Sequence, residues 1–106
     1  MSQPKLDDAI QTGRRYHQAG RLTEAEKIYR QILAHQPNHA DALHLLGVLA
    51  GQVGRLDAAV ELIRRAIAIC STDAFYLSSL GNVLQASGQL HEAVASYRQA
   101  IGLKPD

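Results

Sequence analysis

A 34-residue period runs the whole length of the chain and leaves few architectures open to it. Gly13, Gly47 and Gly81 are in register, as are Gly20, Gly54 and Gly88, then Leu22, Leu56 and Leu90, then Ala25, Ala59 and Ala93. A fixed period of roughly 20 to 50 residues marks stacked supersecondary units, each too small to bury its own apolar face. The 106 residues divide into a tail at 1–5 and units at 6–39, 40–73 and 74–106. No linker or low-complexity stretch separates the units.

Inside each unit the apolar residues follow helical spacing. Leu43, Leu46, Gly47 and Ala50 form one stripe at the i, i+3, i+4, i+7 interval, and Leu56, Ala59, Ile63, Ala66 and Ile67 form a second. Each unit is thus predicted to be two amphipathic helices, giving six in an all-α chain. Gly20, Gly54 and Gly88 suit the left-handed position just past a helix end, where a Cβ would clash. Thr23 and Glu26 have capping-box spacing for the second helix of the first unit. Asn38 is expected to cap the following helix, with Asp41 in its first turn. Pro37 and Pro105 punctuate unit ends, with Ser71 at the equivalent place in the middle unit. Gly47, Ala59 and Ala66 leave room for close helix approach while Leu43, Leu46, Leu56 and Ile63 fill the remaining volume. Tyr16, Tyr29 and Tyr97 fall on the interhelical core columns.

Composition narrows the function. Eleven Lys and Arg against ten Asp and Glu give a net charge of +1, without the dense basic footprint of nucleic-acid binders. No apolar run approaches the roughly 18 residues of a membrane span, and the N-terminal residues lack a signal peptide's apolar region. The single cysteine, Cys70, permits no internal disulfide, so a reducing, cytoplasmic setting is the default. It sits at a helix end beside Ile69 and reads as a small apolar residue rather than a reactive thiol. There is no phosphate-binding loop, dinucleotide fingerprint or convergent nucleophile and base. Asp7 and Asp8 are explained by a helix start. His35, His39 and His44 are close in sequence but fall on a helix end, a turn and the next helix, which does not make a four-ligand metal site. The chain is therefore expected to be no enzyme and to hold neither cofactor nor metal.

A 34-residue helix-turn-helix unit with leucine-glycine near its start, alanine at its twentieth position, an aromatic four later and a proline near its end resembles the tetratricopeptide repeat. The residues that carry the likeness are Gly13, Tyr16, Ala25, Tyr29 and Pro37; Leu46, Gly47, Ala59 and Ile63; and Leu80, Gly81, Ala93, Tyr97 and Pro105. Departures from the family pattern are Thr12, Ala50, Leu84, Ile63 and Ser71. The run from Asn38 to Leu49, with Leu80-Gly81-Asn82-Val83-Leu84, also resembles repeats of bacterial proteins related to O-linked N-acetylglucosamine transferases. Their groove asparagines correspond to Leu45 and Ser79 here. The carboxylate clamp of chaperone-tail binders would fall on Ile10, Arg14, Leu45, Phe75 and Ser79, of which only Arg14 is basic, so that ligand is excluded.

The resemblance implies a short right-handed superhelical solenoid whose concave side is lined by the first helix of each unit. A peptide or protein segment is expected to bind there, along Ile10, Arg14 and His17, then Asp41, His44, Val48 and Gln52, then Phe75, Ser78, Asn82 and Gln85. Asn82 and Gln85 can donate and accept along a peptide backbone, while Phe75, Val48 and Ile10 can take apolar side chains. A second reading starts from the chain's end. Val94, Tyr97 and Ile101 lie on the last helix, where a following helix would normally pack, so either a homodimer or a larger glycosyltransferase-like parent would cover them.

Overall fold

The computed structural model describes residues 3–103. Its six helices are α1 (Gln3–Gln18), α2 (Leu22–His35), α3 (Ala40–Gln52), α4 (Leu56–Ile69), α5 (Ala74–Ala86) and α6 (Leu90–Leu103), with no strand among the described residues. Each unit is an antiparallel pair, α1 with α2, α3 with α4 and α5 with α6. The pairs stack through α2 on α3 and α4 on α5, and the first helices α3 and α5 also touch directly. The result is a solenoid measuring 43 × 27 × 23 Å. α1 already begins at Gln3, so the first helix reaches into the segment expected to be a tail. Pro105, expected to end the third unit, lies outside the described residues.

The three hairpin turns are built alike. Gly20, Gly54 and Gly88 have φ of 80°, 88° and 83°, the only positive values among the described residues. Around Gly20, the glycine N–H donates to the His17 carbonyl at 3.1 Å and the Arg21 N–H to the Tyr16 carbonyl at 2.8 Å. The same pair of bonds recurs at Gly54 with Arg55 and at Gly88 with Gln89. This is the Schellman arrangement, which satisfies the last carbonyls of one helix and delivers the chain straight into the next.

That economy of residues overturns the expected caps. α2 starts at Leu22, one residue after the turn closes, so Thr23 is already inside the helix and forms no capping box. Glu26 instead accepts from the Arg30 side chain at 2.9 Å on the exposed face of α2. Before α3 the capping residue is His39 rather than Asn38, its Nδ1 accepting the Ala42 N–H at 3.2 Å. Asp73 plays this part for α5, accepting from Phe75 N–H at 2.9 Å and Tyr76 N–H at 3.3 Å.

Close approach within each pair depends on the first column of glycines. A Cβ at Gly13 would stand 2.6 Å from the Tyr29 ring, at Gly47 2.7 Å from Ile63 Cγ1, and at Gly81 2.5 Å from the Tyr97 ring. One large side chain of the second helix thus lies flat on the bare backbone of the first. The core then runs from pair to pair: Ala25 and Tyr29 pack with Leu46 and Leu49, and Ala59 and Ile63 with Leu80, Val83 and Leu84. Tyr29, Ile32, Leu43, Ile63 and Leu84 are fully buried.

Gly47→Leu overpacks the contact with Ile63 and is expected to lower stability by roughly 1–3 kcal/mol. A urea midpoint that drops without a change in slope would report this, whereas an unchanged midpoint would remove the packing argument.

Candidate functional site

The side chains on the first-helix face were expected to form one continuous lining, and the structure sorts them by chemistry. Arg14, Gln52, Phe75, Asn82 and Gln85 are exposed; His17, Asp41, His44, Val48 and Ser78 are half-buried. Ile10 departs from the expectation, being only 7% exposed and packed with Ile32 of α2 and Ala42 of α3. Its register is that of His44 and Ser78, at the border between the groove and the neighbouring pair. An apolar side chain at that border turns inward, and Ile10 therefore belongs to the core.

Three polar links join one first helix to the next. His17 Nε2 lies 2.6 Å from Gln52 Oε1 and His17 Nδ1 lies 3.1 Å from the Tyr29 hydroxyl. A glutamine carbonyl can only accept, so Nε2–H donates to it, while Nδ1 faces a tyrosine hydroxyl that can donate or accept. His44 Nε2 is 2.7 Å from Ser79 Oγ, and its ring lies 4.7 Å from that of Tyr76. The Tyr76 hydroxyl donates to Asp41 Oδ1. All three cross-helix links span 35 residues, one more than the repeat, and so bridge neighbouring pairs rather than equivalent positions.

Tyr97 also belongs to this face rather than to the outer surface of the last helix. Its ring occupies the space above Gly81, which carries the hydroxyl through to the groove, 2.6 Å from Asn82 Oδ1 and 3.1 Å from Gln85 Oε1. Its single proton goes to the nearer oxygen. The Asn82 carbonyl oxygen is thereby engaged by Tyr97, and the amide group also carries two N–H donors. Val94 and Ile101, the other two residues assigned to a self-association surface, are 47% and 67% exposed.

Between the second and third pairs the face opens into a cleft of about 250 Å³. Its walls are Val48, Leu56, Val83 and Ala86 around the backbone of Gly51, and Gln52, Ser79 and Asn82 stand at the polar side. Gly51, Leu56, Ser79, Val83 and Ala86 are lining residues that the sequence reading did not select for the groove. Phe75 is elsewhere on the same helix, 68% exposed in its first turn.

The histidines close in sequence do not converge. His35 Nδ1 donates to the Gln31 carbonyl at 3.1 Å, His39 caps α3, and His44 turns to Ser79. Among the described residues no three of His, Cys, Asp and Glu are grouped as metal ligands. Cys70 ends α4, half-buried against Leu43, Ala66 and Tyr76. No described helix is long and apolar enough to cross a membrane.

Comparison with known proteins agrees with this architecture. Tetratricopeptide repeat profiles match residues 10–74 and 76–106. No curated protein sequence matches the chain. Among solved structures, a mutant O-GlcNAc transferase of Thermobaculum terrenum superposes with a TM-score of 0.93 at 35% identity, over 95% of this chain and 19% of that one. The present chain thus spans about a fifth of that transferase. MamA superposes at 0.87 with 24% identity, over 98% of this chain and 61% of that one. The second such domain of Spaghetti, bound to an HSP90 peptide, superposes at 0.86 with 15% identity, over 92% and 91% respectively. The last two likenesses speak for the fold alone.

The His44 link makes stability depend on pH. Burial is the main influence and holds the imidazole pKa below its ordinary 6.5; Arg14 acts in the same direction, while Asp73 and Asp41 oppose it. A depressed folded-state value means that the unfolded chain binds the proton more readily, so stability is full above about pH 6.5 and is lost as pH falls through the folded value. The urea midpoint should therefore fall more steeply from pH 7.5 to 5 in the wild type than in His44→Gln; parallel curves would contradict the assignment.

Proposed function

Because the chain belongs to the tetratricopeptide repeat family, we propose that it is a noncatalytic interaction module that binds a peptide or protein segment in the groove lined by α1, α3 and α5. Such repeats generally mediate protein–protein interaction. The observation that carries the reading is the paired arrangement of Asn82 and the adjoining cleft. Asn82 accepts from Tyr97 through its side-chain carbonyl and lines an apolar hollow of side-chain size. Hydrogen bonds to a peptide backbone and a place for one side chain are what recognition of an extended segment requires. Arg14, His17 and Gln85 extend the polar lining towards both ends. The Spaghetti domain binds an HSP90 peptide, and a chain segment of different chemistry fits here, since Arg14 is the one basic residue at the positions such a tail would need.

The likeness to the bacterial transferase supports a further part of the proposal: the chain works as the repeat region beside a glycosyltransferase-like domain. A self-associating scaffold is the second reading, and the exposure of Val94 and Ile101 on α6 favours it.

Selection from a random phage-displayed peptide library, followed by affinity measurement on purified protein, tests the proposal. Peptides selected on the wild type should bind the double variant Phe75→Ala, Asn82→Ala about tenfold more weakly or worse, and bind Val94→Asp, Ile101→Asp unchanged. Equal binding by the groove variant would show that the groove is not the site. For the scaffold, sedimentation velocity should reveal a dimer abolished by Ile101→Asp; a monomer at every concentration would remove that reading.

A further inference from the structure

Two of the three units close the groove wall with a polar pair at matching positions. In the first unit the Tyr29 hydroxyl meets His17, and in the third the Tyr97 hydroxyl, whose proton goes to Asn82, lies 3.1 Å from Gln85, each of these two partners standing twelve residues before its tyrosine. The middle unit has Ile63 and Gly51 at these places, so both members of the pair are missing together. The hollow at the groove is lined by one of these two places, Gly51.

Packing does not demand this glycine. At Gly47 an added Cβ would collide with Ile63 at 2.7 Å, whereas at Gly51 the nearest atoms would be Val83 Cγ2 at 3.4 Å and Ala59 Cβ at 3.7 Å, ordinary contact distances. Gly51 lies in helix α3 and has an ordinary helical φ, so it weakens the helix relative to alanine without meeting a conformational need. What its bare backbone provides is room. The hollow holds about 250 Å³, against about 30 Å³ for one liquid water.

Resting on the groove reading above, we infer that this hollow is an anchoring pocket for a single aliphatic side chain, of leucine, isoleucine or methionine size, carried by an extended peptide segment that is uncharged around it. Charge complementarity selects this occupant. No charged residue lines the pocket, so an ionised side chain would lose its hydration there without a counter-charge. Gly51, Val48, Val83 and Ala86 offer apolar contact, and the Asn82 amide donors can take a main-chain carbonyl beside the anchor. The two sides are fixed in advance, because Gln52 is held by His17 and Ser79 by His44. A pocket that need not be ordered on binding loses less affinity to that ordering.

Random dodecapeptides displayed on phage are the probe. Those selected on the wild type should share one leucine, isoleucine or methionine without a charged neighbour, and alanine at that position should weaken binding about tenfold, as for a buried anchor. Ala86→Leu, at an exposed wall position, and Gly51→Leu both fill the pocket and should cause a similar loss; circular dichroism verifies that each is folded. Peptides that depend on Asn82 yet bind both pocket-filled variants normally would overturn the anchor and leave the groove reading standing. Peptides indifferent to Asn82→Ala and to the pocket-filled variants, or a library that yields no binder, would overturn both.

Discussion

The contact between a bare stretch of first-helix backbone and one large side chain of the second helix determines most of this structure. Gly13, Gly47 and Gly81 let Tyr29, Ile63 and Tyr97 lie closer than any Cβ would allow. Helix separation sets the shape of each pair, and the shape of each pair sets how the next one stacks. The apolar columns of α2 and α4 can then serve two neighbours at once, packing inward on their own first helix and sideways on the next. A short solenoid has no single centre, so its stability rests on these repeated local closures and on the interfaces between pairs.

The same contact brings core chemistry to the first-helix face. A tyrosine lying over glycine reaches through the pair, so that its ring is part of the core and its hydroxyl appears in the groove. Tyr29 thereby orients His17, which in turn holds Gln52 of the next pair, while Tyr97 orients Asn82. The groove is consequently pre-set by packing rather than by loops. In the middle unit, with Ile63 and Gly51 at the matching places, the polar relay is absent, and Gly51 lines the hollow.

Much of the fold was legible because backbone requirements leave a direct trace in sequence. The turn glycines have the left-handed φ that their period and position predicted, and Gly47 sits against Ile63 as its register required. The caps were less legible. Thr23 and Asn38 have the right side chains, but the tight turn at Gly20 leaves no residue free ahead of Leu22, and His39 stands nearer the start of α3. Among site residues, helical phase alone placed Ile10 in the groove, whereas its apolar side chain goes to the seam with Ala42. Tyr97 lies on the interhelical core column as its phase indicated, but phase could not show that its hydroxyl would reach the groove rather than the outer surface of α6. Gly51 escaped notice since its importance lies in the side chain that is missing, and a comparison of matching positions between units was the signal that could have found it.

Amide chemical-shift mapping of the isotopically labelled chain, titrated with a peptide selected from a random library, tests the groove account most directly. The account predicts the largest changes at Val48, Gly51, Asn82 and Gln85, all on α3 and α5. Changes confined to α2, α4 and α6, with those four amides unmoved, would contradict it.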